Sequence, residues 1–139
     1  MDVVEGILNE KDYSSLDVLI VEDEDEIREL VCRQIRRDID PHSIIEAKDG
    51  VEALQKLSMQ SFDLVILDLK MPKKNGMEVI RFLKDKPKTS SIPIIVISGA
   101  LDESIISQMV KWGIKNVLTK PFNPKLLLES IEKLTGKQA

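Results

Sequence analysis

The sequence predicts an α/β fold: a single doubly wound domain, a parallel sheet with helices on both faces. Three observations predict it. Five short apolar runs alternate along the chain with segments of helical spacing. The run Leu64-Val65-Ile66-Leu67 is unbroken by any polar residue, as strands buried on both faces are. And 139 residues is enough for one real core but too few for two domains of ordinary size.

The strands are expected at Val18 to Val21, Ser43 to Ala47, Leu64 to Leu67, Ile94 to Ile97 and Asn116 to Leu118. Between them, Ile27, Leu30, Val31 and Ile35 keep helical spacing, as do Val51, Leu54 and Leu57. Ile80 and Leu83 mark a third helix ending near Pro87. Ile105, Ile106 and Met109 mark a fourth, and Leu127, Ile131 and Leu134 a fifth. Asp102 reads as an N-cap, and Asn123-Pro124 as a cap followed by proline at the first helical position. Strict alternation of this kind implies right-handed crossovers and strands running the same way.

The first residues stand outside the alternation. Val3, Val4, Ile7 and Leu8 would share one face of a short helix ended near Asn9. Residues 1–15 are therefore set apart as an N-terminal extension, either a frayed terminus or a helix docked on the domain or on a second copy. The domain proper is expected over 16–135, with 136–139 as a tail.

Composition excludes several classes. A net charge of -4 argues against a general nucleic-acid surface. No apolar stretch reaches the ~20 residues of a membrane span, and Met1-Asp2-Val3-Val4-Glu5 lacks the basic start of a secretory signal. With Cys32 alone, neither an internal disulfide nor a cysteine-based metal site can form. A cytoplasmic location is the expectation.

The chemistry gathers at strand ends. In a parallel sheet all strand C-termini share one edge, which is where open α/β sheets bind ligands. Glu22 and Asp23 follow the first strand, Asp68 the third, Ser98 the fourth and Lys120 the fifth. Two like charges ~4 Å apart repel by roughly 4 kcal/mol at an effective dielectric of ~20. Three clustered carboxylates therefore call for a cation, and oxygen-only ligands suit Mg²⁺. Lys120 and Ser98 then suit a tetrahedral anion on Asp68, one as a point charge and one as a donor. Attack by the Asp68 carboxylate on phosphorus would give an aspartyl phosphate.

Over roughly Leu16 to Leu134 the chain resembles receiver domains of the response-regulator family of two-component signalling. The matching stretches are Val18-Leu19-Ile20-Val21-Glu22-Asp23-Glu24, Asp63 to Asp68 with Met71-Pro72 and Asn75-Gly76, Ile94 to Gly99, and Leu118-Thr119-Lys120-Pro121-Phe122. The resemblance implies a flavodoxin-like sheet in the order 2-1-3-4-5. It implies Asp68 as phosphoacceptor, Asp23 as a direct Mg²⁺ ligand, Glu22 acting through a metal-bound water, and the Lys70 backbone carbonyl as a further ligand. Ser98 would move toward the phosphoryl group, Lys120 would pair with it, and the Lys120-Pro121 bond would be cis. The implied partners are a sensor histidine kinase or histidine phosphotransfer protein and a downstream protein, with homodimerisation left open and neither nucleic acid nor membrane bound directly. It also implies a signalling phosphoacceptor and not an enzyme acting on external substrates.

Some positions invite a second reading. Val117 stands where the family often has an aromatic that swings inward when the hydroxyl residue moves. It is either tolerated variation or the sign of a switch carried by the loop after Ser98, with Gly99, and by the fourth helix. Lys70 is a solvated loop residue or a tuner of phosphoryl lifetime that contacts Glu22 or the phosphoryl oxygens. Trp112 is packing at the end of the fourth helix or, if exposed, an anchor on the output face of the fourth helix, fifth strand and fifth helix. His42 reads as a surface residue and Cys32 as core. Glu24, Asp25 and Glu26 read as complements to the first helix dipole.

A single-domain regulator is the simplest expectation; a receiver from a larger response regulator or a hybrid histidine kinase would read the same. A phosphotransferase of the haloacid-dehalogenase type is the distant alternative. It typically needs a second aspartate two positions after the first, where this chain has Lys70.

Overall fold

The computed structural model describes residues 12–70, 75–99 and 101–135. The expected helix of Val3, Val4, Ile7 and Leu8, the Met71-Pro72 motif and the 136–139 tail lie outside the described residues. In chain order the elements are β1 (Asp17–Val21), α1 (Asp25–Asp38), β2 (Ser43–Ala47), α2 (Gly50–Met59), β3 (Leu64–Asp68), α3 (Gly76–Lys84), β4 (Ile94–Ser98), α4 (Glu103–Lys111), β5 (Asn116–Thr119) and α5 (Pro124–Thr135). The five strands form one parallel sheet in the order β2-β1-β3-β4-β5, as the resemblance implied.

Each strand divides its side chains between two apolar layers, because successive residues point to opposite faces. Val18 and Ile20 of β1, Leu64 and Ile66 of β3, and Ile95 and Ile97 of β4 pack with Val31 and Ile35 of α1 and Leu127 and Ile131 of α5. Leu19, Val21, Val65, Leu67 and Val96 pack on the other face with Ala53 and Leu57 of α2, Val79, Ile80 and Leu83 of α3, and Met109 of α4. Burying each such aliphatic side chain contributes about 1.5–3 kcal/mol, well above the ~1 kcal/mol ceiling of an exposed ion pair. These layers, and not surface charges, hold the strand ends in place.

The caps follow the expected chemistry. Asp102 accepts from Ile105 N–H at 2.9 Å, and Asn123 from Lys125 N–H at 2.8 Å. α3 opens on a reciprocal pair: the Asn75 side chain accepts from Glu78 N–H, and the Glu78 carboxylate accepts from Asn75 N–H. α3 ends at Lys84, earlier than Pro87 suggested. The residue before a proline is pushed out of the helical region, and Thr89 Oγ donates to the freed Leu83 carbonyl at 2.6 Å. α4 ends with Gly113 at φ +73, a left-handed conformation that glycine adopts without penalty. Ile114 N–H then reaches Met109 O and Gly113 N–H reaches Val110 O, closing the helix end.

Other positions come out as follows. Tyr13, assigned from sequence to the extension, is buried with Leu16 against the α1–α5 layer. Trp112 is partly buried and packs on the α2–α3–α4 layer, so it is packing and not an exposed anchor. His42 is exposed, but its Nδ1 lies 2.8 Å from Asp17 Oδ1, a partner that sequence neighbours did not reveal. Cys32 is buried, and burial pushes its thiol up to about 12.

Candidate functional site

Asp68 is the last residue of β3 and is almost fully buried. Its two oxygens are held differently. Oδ1 accepts from Lys70 N–H at 3.2 Å, and Oδ2 lies 3.0 Å from Lys120 Nζ. Behind it Gly76 N–H donates to Leu69 O at 2.8 Å. A Cβ on Gly76 would stand 2.4 Å from the Asp68 carbonyl oxygen and 2.6 Å from Leu69 Cα. Only glycine lets the start of α3 approach the phosphoacceptor candidate this closely, a constraint that sequence reading missed.

The acidic loop after β1 faces Asp68. Glu22 is buried, and its Oε2 accepts from Glu24 N–H at 3.0 Å. Arg28, one turn into α1, donates to the Glu22 carbonyl at 2.8 Å and also bonds Asp25 and Glu46, so it braces this loop from behind. Oxygens of Glu22, Asp23, Glu24 and Asp68 all lie within 4.8 Å of one another. The carboxylate oxygens of Glu22, Asp23 and Asp68, partly buried and so close, fit a hard divalent cation.

Lys120 comes from the end of β5. Its N–H donates to Ser98 O at 3.0 Å, which ties it to the end of β4, and its peptide bond to Pro121 is cis. Its ammonium meets three carboxylates: Glu22 at 3.0 Å, Asp68 at 3.0 Å and Glu24 at 2.8 Å. Burial pulls the Lys120 pKa down, but the hydrogen bonds to Glu24, Glu22 and Asp68 outweigh it and hold it above the ordinary lysine value. The cost of burial shows at Glu22. Burial, with the Asp68 charge adding to it, pushes the Glu22 carboxyl up to about 7 against the opposing pull of Glu24 N–H and Lys120.

Glu22, Asp23, Asp68, Ser98 and Lys120, singled out from sequence, thus stand at one edge of the sheet. Ser98 is fully buried at the end of β4 beside Thr119. A Cβ on Gly99 would stand 3.7 Å from Lys120 Cβ, ordinary contact, so glycine is not sterically required there. The Lys70 side chain is exposed, and its charge acts on Asp102 at the start of α4. Val117 is half-buried and lines an apolar groove of about 420 Å³ with Ile106, Met109, Val110 and Ile114, along the α4–β5 edge.

Glu24 corrects the sequence reading, which left it to the helix dipole. It is the N-cap residue of α1 but makes no capping hydrogen bond; its side chain goes to Lys120 instead. Glutamate is a poor N-cap, and a third acid in that position was the available signal.

The profile of the response regulator receiver domain matches residues 18–132. The chain is 35% identical over 119 residues to response regulator RR06 of Streptococcus pneumoniae, covering 86% of this chain and 52% of that one. It thus spans about half the length of that relative. It is 29% identical over 120 residues to the chemotaxis protein CheY1 of Helicobacter pylori, covering 86% of this chain and 96% of that protein. Among solved structures, the signal receiver domain of a signal transduction histidine kinase from Syntrophus aciditrophicus superposes with a TM-score of 0.77 at 27% identity, over 86% of this chain and 89% of that one.

Proposed function

The chain belongs to the response regulator receiver domain family, and on that premise we propose that it takes a phosphoryl group from a phosphohistidine onto Asp68 and thereby changes its affinity for a partner protein. The observation that carries the reading is the Asp68 carboxylate, buried at a strand end, 3.0 Å from a lysine ammonium and within 4.8 Å of three further acids. A carboxylate held there without a role would be costly to bury.

Asp23, Asp68 and the Lys70 carbonyl would hold Mg²⁺ directly, with Glu22 reached through a bound water. Held there, the ion would supply charge neutralisation for the phosphoryl oxygens. The rest of the work is done by the chain. Asp68 supplies the attacking oxygen, its carboxylate aimed by Lys70 N–H and Lys120. Lys120 offers its ammonium to a phosphoryl oxygen, and the Ser98 hydroxyl donates to another. The Lys120-Pro121 peptide, with the Lys120 N–H tied to β4, presents the ammonium to Asp68.

For output, the α4–β5–α5 face would meet the downstream protein, with Val117 and the groove beside it on that face. Valine is too small for an aromatic exchange, so the switch would run through the loop after Ser98 and α4. A structure with a phosphoryl mimic that leaves both unmoved counts against this. The receiver unit would span 16–135 and work in the cytoplasm, with a sensor histidine kinase or phosphotransfer protein as donor. Direct binding to nucleic acid or membrane forms no part of the reading. Among the described residues no helix is long and apolar enough to cross a membrane. Both settings of the unit have counterparts, since CheY1 is matched over nearly its whole length and RR06 over about half.

The test is labelling by acetyl phosphate: Mg²⁺-dependent mass gain on a peptide containing Asp68, lost in Asp68→Asn with the circular dichroism unchanged. Persistent labelling of the variant rejects the assignment.

A further inference from the structure

We infer that Glu24 is a resting-state competitor for Lys120, a positioning residue whose carboxylate occupies the ammonium donor that an incoming phosphoryl group needs. The inference rests on the reading of Asp68 as phosphoacceptor and goes beyond it, by naming what the phosphoryl group displaces.

A lysine ammonium has three N–H donors. In this structure three carboxylates take them: Glu22 at 3.0 Å, Asp68 at 3.0 Å and Glu24 at 2.8 Å. No donor is left for a phosphoryl oxygen, so one acceptor must yield. Glu22 and Asp68 are poor candidates, each with a side chain only 5% exposed. Their carboxylates would have to move within a packed edge, and Glu22 is braced through its carbonyl by Arg28 and through Oε2 by Glu24 N–H. The Glu24 side chain is 57% exposed and has no capping duty on α1. It can swing into water and be rehydrated at little cost. It is also the shortest of the three contacts and carries a negative charge toward the place a phosphoryl dianion must enter. Loss of Glu24 therefore frees one Lys120 donor and removes a repulsion, without touching a buried group.

The transfer itself balances without Glu24. An Asp68 carboxylate oxygen bonds to phosphorus as the bond from phosphorus to the acyl oxygen of acetyl phosphate breaks, and acetate leaves with the electron pair. No proton is required of Glu24.

The experiment compares wild type, Glu24→Gln and Glu24→Asp. The first readout is the labelling rate by acetyl phosphate at saturating Mg²⁺. The second is the Mg²⁺ dissociation constant from direct titration. The third is acetylation of Lys120 in the metal-free protein by an N-hydroxysuccinimidyl acetate, read by peptide mass. Glu24→Gln should label about threefold faster, the scale of one partly exposed ion pair, with Mg²⁺ affinity changed less than about twofold and Lys120 acetylated faster. Glu24→Asp, which keeps the charge but is one methylene shorter, should behave like Glu24→Gln. Aspartate behaving like wild type overturns the competition in favour of charge at a distance. Mg²⁺ affinity down about tenfold at an unchanged saturated rate overturns it in favour of a metal ligand. Unchanged Lys120 acetylation in both variants overturns it outright. A wild type that fails to label while Lys120 acetylation still quickens in Glu24→Gln strikes at the phosphoacceptor reading and leaves the Lys120 contact upheld.

Discussion

Lys120 Nζ lies 3.0 Å from Asp68 Oδ2, although 52 residues separate the two along the chain. The lysine is the cation nearest three carboxylates at once, and the consequences of removing it depend on whether those carboxylates are charged.

Lys120→Met should destabilise the metal-free protein by about 2–3 kcal/mol at neutral pH, because buried acids lose their counter-charge. Near pH 5 the loss should shrink, since Glu22, with its folded value of about 7, is already protonated there and needs no counter-charge. Urea titrations at the two pH values check it. An equal loss at both would mean that packing of the lysine stem, and not charge, carries the effect.

Glu22 sets a pH dependence of its own. Its folded value of about 7 lies above the ordinary 4.5, so the folded, metal-free protein binds this proton more readily than the unfolded chain does. The stabilising contribution is complete below about pH 4.5 and is lost as pH rises through about 7. Relative to Glu22→Gln, the wild type in chelator should lose on the order of 3 kcal/mol across that window. Mg²⁺ must expel the same proton, so its affinity should climb with pH to about 7 and then level off. Parallel stability curves for the two proteins would reject the assignment.

Two glycines near the site should differ in their response to one methyl group. Gly76→Ala puts a Cβ 2.4 Å from the Asp68 carbonyl oxygen, and backbone cannot yield as a side chain can. A loss of about 1–3 kcal/mol and slower labelling are expected. Gly99→Ala meets Lys120 Cβ at 3.7 Å and should stay within about 0.5 kcal/mol of wild type. Thermal melts of both variants decide it, and a tolerated Gly76→Ala would show that the α3 approach is adjustable.

The thiol of Cys32 should be silent in the native protein. It is 7% exposed and its pKa is pushed up to about 12 by burial, with Glu46 adding to it. Iodoacetamide at neutral pH should therefore modify it only at the rate of opening or unfolding. Labelling as fast as a free peptide thiol would place Cys32 at the surface.

Much of this protein is legible in the residues alone. Apolar runs broken by helical spacing determine five strands and five helices, since each strand must bury both faces and each helix one. Parallel direction then brings Glu22, Asp23, Asp68, Ser98 and Lys120 to a single edge with no further information. Asp102 and Asn123 announce their helices because a short polar side chain before an apolar repeat satisfies free N–H groups. The tertiary structure decided what depends on distance across the chain. Glu24 turns from the helix it precedes to an ammonium 96 residues away, and Arg28 braces the acidic loop through Glu22 O and Glu46. Gly76 is required by a backbone approach, and Tyr13 is buried by a core whose first strand begins four residues later in sequence. Periodicity records which face a residue takes, because that is a local property of the backbone. Where a flexible charged side chain ends up is settled by which opposite charge the folded loops bring within about 3 Å, and no spacing along the chain encodes that.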